Sequence, residues 1–305
     1  MGYPAAVKIR EVGPRDGFQN EPEIISTADK IELINCLTAT GLRRIEITSF
    51  VRPDVIPQLA DGAEVLAGIE RRPGVHYGVL VPNRRGLENA LELRDRFDEV
   101  SVFLSASETH NRKNVNRTIE QSLTELEGVV ADARSAGLRS VAVISTSFGC
   151  PYEGEVAPAQ VFEIAERLID AGAQEIGFGD TTGMANPRQV GAFFPAAIDK
   201  LPEVELTAHF HNTRGQGLAN VLAALEHGCH SFESSFGELG GCPVPVGSTG
   251  NIASEDLVSM LHEMNIETDI DLSRLLNCAR SAQNVLGRAL SSHLITAGPV
   301  EWAKR

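Results

Sequence analysis

The sequence predicts a (β/α)8 barrel, the TIM-barrel fold of the α/β class, with additional C-terminal helices. Eight short apolar or β-branched runs alternate with longer amphipathic segments from one end of the chain to the other. Most runs lack a polar face, as strands of a parallel sheet covered on both sides do. The 305 residues also suit a single barrel, which needs roughly 250. Eight strands with intervening helices close most simply as a barrel.

The strands follow from these runs. In chain order the predicted strands are Val7–Val12, Arg44–Phe50, His76–Val81, Glu99–Ser105, Ser140–Ser147, Glu175–Asp180, Glu205–His211 and His230–Phe236. A doubly wound open sheet is the alternative architecture. It usually carries a glycine-rich nucleotide-binding turn after its first strand, and no G-x-G-x-x-G stands there in this chain.

Helices are predicted between the strands, among them Asp54–Glu70, Asn116–Ala136 and Pro158–Ala171. Glycines stand at helix-to-strand junctions, where a C-terminal glycine cap is expected: Gly41, Gly137, Gly172 and Gly228. No linker or low-complexity segment interrupts the pattern, so we expect one catalytic domain over residues 1–305. The barrel would span about 5–240, a lid loop about 237–250 and extra helices about 254–290, including Asp271–Leu290.

Charge and cysteine content exclude several classes of protein. The 27 Lys and Arg against 41 Asp and Glu leave a formal charge of −14, which argues against nucleic acid as a partner. The five cysteines are odd in number and contain no Cys-x-x-Cys, so neither a disulfide framework nor a zinc ribbon is expected. Buried, inert thiols are expected for Cys36, Cys150, Cys229 and Cys278. Neither a secretory signal nor a membrane-spanning stretch is present, and a cytoplasmic protein without a membrane partner is expected.

Polar residues collect where the predicted strands end, which is the active-site face of a (β/α)8 enzyme. His209 and His211 alternate on strand seven and therefore face the same way. An isolated His-x-His pair is more often satisfied by hydrogen bonds, but Asp16 at the end of strand one offers a third ligand. Two histidines with oxygen donors suit Mg²⁺, Mn²⁺ or a similar octahedral ion better than a structural zinc.

Two further residues point to chemistry at this face. Arg15 stands beside Asp16 and could hold an oxygen on which enolate charge develops, although a strand-end salt bridge is the simpler interpretation. Cys242 lies in a loop rich in glycine and proline that could close over a substrate. A thiol on such a lid can act as an acid or a nucleophile once the loop is closed.

Taken together, these motifs resemble the 3-hydroxy-3-methylglutaryl-CoA lyase family of the metallolyase barrel superfamily. The resemblance covers about residues 7–290 and depends on five segments in the family's order. These are Val12–Glu21, Glu46–Phe50, Gly179–Thr181, His209–Thr213 and Gly240–Pro243, followed by Gly250–Leu257. The resemblance implies an oxo-acid lyase that splits a 3-hydroxyacyl-CoA into acetyl-CoA and acetoacetate, with a role in leucine degradation and a homo-oligomeric state, dimer or tetramer.

The resemblance also implies roles for individual residues. It implies Asp16, His209, His211 and Asn251 as ligands of Mg²⁺ or Mn²⁺. Arg15 would stabilise the acetyl-CoA enolate, Cys242 would donate a proton from the lid, and Asp180 or His209 would relay one. Substrate contacts are implied for Gln19, Glu46 and Ser49 in an acyl-CoA site.

Some positions depart from the common family pattern and leave the acyl group open. Phe18 replaces leucine, Gly177 replaces serine, and Asn212–Arg214 replaces Asp-Thr-Tyr. Citramalyl-CoA, which would give pyruvate, or a longer-branched homologue would suit the same chemistry. A Claisen-condensing synthase, an aldolase for a free 4-hydroxy-2-oxo acid, and a catalytically silent barrel that binds CoA esters are the remaining alternatives.

Overall fold

The chain forms a closed barrel of eight parallel strands in the order β1 to β8. A computed structural model describes residues 2–241 and 250–301. Each strand pairs with its sequence neighbour, and β1 pairs with β8 to close the barrel. The strands are β1 Lys8–Glu11, β2 Arg44–Ser49, β3 His76–Leu80, β4 Glu99–Ser105, β5 Arg139–Ser145, β6 Glu175–Asp180, β7 Glu205–Phe210 and β8 Ser231–Ser234. The predicted fold class is confirmed.

Helices surround the barrel and extend beyond it. They are α1 Thr27–Thr38, α2 Gly62–Gly68, α3 Arg84–Leu91, α4 Glu108–Val115, α5 Ile119–Ser135, α6 Pro158–Ala171, α7 Pro187–Lys200, α8 Gly217–Glu226, α9 Ser254–Glu263, α10 Leu272–Leu286 and α11 His293–Ala297. The last three are the additional C-terminal helices. None of the described helices is long and apolar enough to cross a membrane.

The predicted boundaries hold well where local signals are strong. Two strands, β4 and β6, and helix α6 begin and end where the sequence predicts. The four junction glycines all have positive φ, from 72° to 115°, which a side chain would disfavour. The prediction of one helix over Asp54–Glu70 is wrong. Pro57 starts a separate 3₁₀ turn, Pro57–Leu59, because proline tolerates only the first positions of a helix, and α2 follows from Gly62.

The lower pole of the barrel, at the amino ends of the strands, is closed by an ion-pair cluster. We call this group the lower cluster. It comprises the first residues of six strands: Lys8, Arg44, Glu99, Arg139, Glu175 and Glu205. Glu175 accepts from both Arg44 and Arg139, at 2.8 and 2.9 Å. Glu205 bridges Arg139 and Lys8 at 2.8 and 2.7 Å. Every carboxylate of the cluster is therefore paired with a cation.

One pair of cysteines contradicts the sequence-based expectation. Cys36 in α1 and Cys278 in α10 form a disulfide, so the expectation that neither would be bonded is wrong. The two residues are 242 positions apart, and only the packing of α10 against α1 brings them together. Cys150 and Cys229 are buried free thiols, as predicted.

Candidate metal centre and active site

The candidate site is a cavity of about 470 Å³ at the upper pole, where the strands end. Its inner wall carries the polar side chains Arg15, Asp16, Gln19, His209 and His211. Leu80, Phe103 and Val143 contribute apolar surface, and Lys113, Asn114 and Tyr152 line the outer part. A mostly apolar cavity with a few convergent polar groups is the usual form of a small-molecule site.

Asp16, His209 and His211 converge at the base of this cavity. One ligand atom from each lies within 4.8 Å of the others. The two imidazoles face each other, with their Nε2 atoms 3.1 Å apart. Neighbouring ligands of an octahedral ion that bind at about 2.1 Å are about 3 Å apart, so this spacing suits a shared cation. Burial, followed by the charge of His209, lowers the pKa of His211 to about 3, which leaves its ring neutral as a ligand must be.

Asn251 completes the group from the segment that follows the lid loop. His211 and Asn251 form an antiparallel β-bridge, which places the side-chain amide of Asn251 beside the end of β7. Its Nδ2 donates to Asp16 Oδ2 at 2.8 Å, while its buried Oδ1 has no hydrogen-bond partner. The close approach requires glycine at position 250, because a Cβ there would lie 2.3 Å from the Glu238 carbonyl oxygen.

These four residues fit a hard divalent cation. Such ions take oxygen and imidazole ligands, and the site offers one carboxylate, two imidazoles and one unpartnered amide oxygen. Burial alone would raise the pKa of Asp16, but the nearby positive charge, above all that of the Arg15 guanidinium, outweighs it and holds the pKa below its usual value. The carboxylate is therefore ionised and ready to bind a cation.

The first loop presents Arg15 and Asp16 because it is helical rather than extended. The backbone N–H of Asp16 donates to the Val12 carbonyl oxygen at 2.7 Å, which winds Gly13–Gly17 into a tight turn. Arg15 Nη1 donates to Asp16 Oδ1 at 2.6 Å, and Arg15 Nε donates to Glu46 Oε2. Gln19 Nε2 donates to the same Asp16 oxygen at 2.9 Å. Arg15 is thus fixed at the edge of the candidate metal-binding group.

His209 has a carboxylate partner behind it. Its Nδ1 lies 2.8 Å from Glu233 Oε2, which directs Nε2 into the cavity. Burial alone would lower the pKa of His209, but the hydrogen bond and charge of Glu233 outweigh it and raise the pKa. A carboxylate on the far nitrogen of a metal-binding histidine fixes the ring and increases its basicity.

Asp180 lies at the end of β6 and is 2% exposed. Oδ1 accepts from the backbone N–H groups of Met184 and Ala185 at 2.7 and 2.9 Å. Oδ2 has no partner, and burial raises the pKa of the carboxyl to about 7. A carboxyl with this pKa can both accept and release a proton near neutral pH.

The remaining predicted residues are distributed unevenly around the cavity. Gln19 lines it, whereas Glu46 lies behind Arg15 and is 1% exposed. Ser49 is 4% exposed, and its buried hydroxyl has no partner. Substrate contacts by Glu46 and Ser49 stay predictions. Cys242, with the rest of the segment 242–249, lies outside the described residues, although Gly241 at its edge lines the cavity.

Sequence reasoning missed three buried charged residues that hold the site together. Glu233 supports His209, and Arg10 contacts Glu233. Glu11 accepts from the backbone of Gly13 and Phe236 and from the Ser254 hydroxyl. The available signal was a charged residue within a short strand whose other residues are buried. Such a residue needs a hydrogen-bond or ion-pair partner in the interior.

The comparisons with known proteins agree with this geometry. A model of the HMGL-like family matches residues 6–281. The hydroxymethylglutaryl-CoA lyase of Bacillus subtilis (strain 168) is 50% identical over 96% of this chain and 97% of its own length. The mitochondrial hydroxymethylglutaryl-CoA lyase of Rattus norvegicus is 45% identical over 96% of this chain and 90% of its own.

Solved structures give the same result. The Bacillus subtilis HMG-CoA lyase superposes with a TM-score of 0.93 at 50% identity, over 96% of this chain and 98% of that one. An HMG-CoA lyase from Acinetobacter baumannii, solved in complex with coenzyme A and 3-methylmalate, gives 0.92 at 42% identity, over 97% and 96% of the two chains. Family model, relatives and structures all cover most of the sequence, and the chain therefore belongs to the HMGL-like family, that of the hydroxymethylglutaryl-CoA lyases.

Proposed function

We propose that this chain is a divalent-metal-dependent carbon–carbon lyase that cleaves 3-hydroxy-3-methylglutaryl-CoA to acetyl-CoA and acetoacetate. The observation that carries the proposal is the convergence of Asp16, His209 and His211 within 4.8 Å beside Arg15, in a chain 50% identical to a hydroxymethylglutaryl-CoA lyase. These groups supply a cation site next to a fixed positive charge, which is what cleavage to an enolate needs.

The cavity suits an acyl-CoA that enters acyl end first. The polar side chains around Asp16, His209 and His211 lie at its base, and its outer part carries Lys113 and Asn114 on α4. Lys113 Nζ lies 4.8 Å from the centre of the Tyr152 ring, so the ammonium is held at the rim. We expect a rim cation of this kind to contact a phosphate of coenzyme A while the thioester reaches Arg15.

The chain's own residues then divide the work of the reaction. A bound divalent cation would polarise the 3-hydroxyl and a carboxylate oxygen of the substrate, which lowers the pKa of the hydroxyl. Asp180 or His209 accepts the hydroxyl proton, and the new C–O double bond forms as the C2–C3 bond breaks. The bonding pair moves onto the acetyl-CoA fragment, whose enolate oxygen faces the Arg15 guanidinium.

Protonation of C2 completes acetyl-CoA, and we assign the proton to the Cys242 thiol. This role is a prediction, because Cys242 lies outside the described residues. The proton taken by Asp180 or His209 returns to the thiolate through solvent, so the enzyme ends the cycle unchanged.

Several finer features belong to the same proposal. We propose Mg²⁺ or Mn²⁺ as the metal, because the donor set is mostly hard oxygen and imidazole. A homo-oligomer, dimer or tetramer, a cytoplasmic location and a role in leucine degradation follow from the family resemblance. The Cys36–Cys278 disulfide is unusual for a reducing compartment and counts against the cytoplasmic location.

The test is acetyl-CoA release, measured by mass spectrometry with Mg²⁺ or Mn²⁺ and a thiol reductant. Hydroxymethylglutaryl-CoA and citramalyl-CoA are offered in parallel, with EDTA-treated protein and Cys242→Ala as controls. Release from hydroxymethylglutaryl-CoA that is lost with EDTA and falls by about 10²–10⁴ in the variant supports the proposal. Release from citramalyl-CoA but not from hydroxymethylglutaryl-CoA would identify citramalyl-CoA as the substrate of the same reaction. Silence with both, or full activity without metal, overturns the proposal.

A further inference from the structure

Arg10 is a fully buried cation at the centre of the barrel and is 1% exposed. Nη1 donates to Glu233 Oε1 at 2.9 Å, and Nη2 donates to Glu46 Oε1 at 2.9 Å. Nη2 also donates to the Ser101 hydroxyl, and Nε lies 3.3 Å from Glu99 Oε1. The guanidinium therefore contacts carboxylates from three different strands.

Two of those carboxylates lead directly to the reacting groups. Glu233 binds Arg10 through Oε1 and His209 Nδ1 through Oε2, at 2.9 and 2.8 Å. Glu46 binds Arg10 through Oε1 and Arg15 Nε through Oε2. A single side chain is thus one carboxylate away from a metal-binding histidine on β7 and from the catalytic arginine after β1. The third carboxylate, Glu99, leads the other way, to Arg44 in the lower cluster.

Stability alone is a weak reason for such a group. Removing charges from water is costly, and well-packed apolar residues of similar volume are often at least as stabilising as a buried ion pair. Barrel interiors are commonly filled with branched apolar side chains. A guanidinium offers instead a rigid fork, which fixes two carboxylates at a set separation in a way that a lysine ammonium does not.

We propose that Arg10 is a positioning residue that sets the metal-binding His209 and the enolate-binding Arg15 relative to each other, through Glu233 and Glu46. The part concerning Arg15 rests on the proposed lyase function, whereas the part concerning His209 concerns metal binding alone. Neither carboxylate needs to touch the substrate, and both are at most 2% exposed.

The first test compares Glu233→Gln with Glu99→Gln. Both variants remove one buried carboxylate that contacts Arg10, so both should lower the unfolding temperature. Only Glu233→Gln should weaken Mn²⁺ binding, by about 10–100-fold in calorimetry, because only Glu233 supports a ligand. The Mn²⁺ affinity of Glu99→Gln should stay within about threefold of that of the parent. Equal losses of Mn²⁺ affinity in the two variants would overturn the proposal, since the cluster would then act through stability alone.

The second test addresses the two-armed geometry of the Arg10 guanidinium. Arg10→Lys keeps the charge and removes the two-armed geometry, so kcat should fall by about 10–100-fold with KM within about threefold. A double-mutant cycle with Glu46→Gln and Glu233→Gln should be non-additive, because the two carboxylates share Arg10. Parent-like kcat in Arg10→Lys, or additive effects in the cycle, would contradict the proposal.

Failure of this inference can be separated from failure of the proposed function. Mn²⁺ affinity is measured without substrate, on protein whose folding is checked by its unfolding temperature. If the parent binds Mn²⁺ and releases no acetyl-CoA, the lyase function is overturned. Mn²⁺ affinity, expected to fall in Arg10→Lys as in Glu233→Gln and to be retained in Glu99→Gln, still decides the role of Arg10 toward His209. If Glu233→Gln fails to fold, Ser101→Ala replaces it as a milder disturbance of Arg10, and parent-like Mn²⁺ affinity there counts against the proposal.

Discussion

The two poles of this barrel are both rich in charged side chains, but they are arranged in opposite ways. At the lower pole every carboxylate of the lower cluster is paired with a lysine or an arginine. At the upper pole Asp16, His209 and His211 converge on one another, and the buried Asn251 Oδ1 and Asp180 Oδ2 lack partners. The lower pole has a cavity of about 340 Å³, and the upper pole has one of about 470 Å³.

The difference shows what separates a structural cluster of charges from a candidate active site. Charge density and a cavity are common to both poles, so neither identifies the active site. Among the described residues, a convergent carboxylate and imidazole group beside buried oxygens without a partner, Asn251 Oδ1 and Asp180 Oδ2, is found at the upper pole. Such groups are costly to bury unless a bound ion or substrate completes them.

The comparison predicts that substitutions at the upper pole remove activity and leave stability nearly intact. His211→Ala should lower kcat/KM for the lyase substrate by more than about 10³-fold and abolish tight Mn²⁺ binding, because a ligand is lost. The unfolding temperature without metal should change little. His76→Ala, an exposed histidine at the lower pole, is the matched control and should behave like the parent. Tight Mn²⁺ binding by His211→Ala would break the comparison.

The converse is expected for Glu175 at the lower pole. Burial alone would raise its pKa, but Arg44 outweighs burial and lowers it to about 2. Because the folded-state pKa lies below the unfolded value, the carboxylate stabilises the protein above about pH 4.3, by about 3 kcal/mol, and this is lost as pH falls toward 2.

Glu175→Gln should therefore lower the free energy of unfolding by about 3 kcal/mol at pH 7, and by less at pH 4, in urea titrations. Its kcat should stay within about twofold of the parent. Glu205→Gln, where the carboxylate is more exposed, should cost less. A tenfold loss of kcat in Glu175→Gln would show that the lower cluster reaches the chemistry.

Asp180 gives a sharper test of how the upper pole works. Its carboxyl has a pKa of about 7 and accepts a proton only when ionised, so kcat/KM should rise with pH to about 7 and level off above. Asp180→Asn should lower kcat/KM about 10²-fold and remove that inflexion from the pH profile. Asp199→Asn, an exposed residue of α7, is the control. An unchanged inflexion in Asp180→Asn would assign the proton relay to His209 instead.

The disulfide tests whether stability can be changed away from both poles. Cys278→Ser should lower the free energy of unfolding by about 2 kcal/mol, because the bond to Cys36 closes a long loop. Dithiothreitol should have the same effect on the parent and no further effect on the variant. Activity per folded molecule should be preserved. If dithiothreitol destabilised the variant as much as the parent, the reductant would be acting at a site other than the Cys36–Cys278 disulfide.

Much of this molecule follows from local sequence signals. The limits of α6 are marked by Pro158 at its start and Gly172 after its end, and β4 is a short, mostly apolar run between polar residues. Those signals are read without knowing any long-range contact. Three of the four proposed metal ligands were also accessible. His209 and His211 alternate at the end of β7, and Asp16 lies in the loop that follows β1, so knowledge of the fold class is enough to bring them to the same pole.

The supporting contacts were not accessible, because they join residues distant in the chain. Arg10 and Glu233 lie 223 positions apart, and the pairing of β1 with β8 makes them neighbours. Glu46 contacts Arg15, 31 positions away, because the helical first loop directs the arginine over it.

By itself the sequence determined the closed barrel, the pole at which the polar strand-end residues collect and the residue types of the proposed metal site. These depend on periodicity and on residues at strand ends, which are local properties of the chain. The tertiary structure alone decided which carboxylate supports each catalytic group, how the lower cluster is paired and that Cys36 meets Cys278. Those contacts form between side chains of different strands and helices, and their energies depend on burial and distance that no single segment specifies.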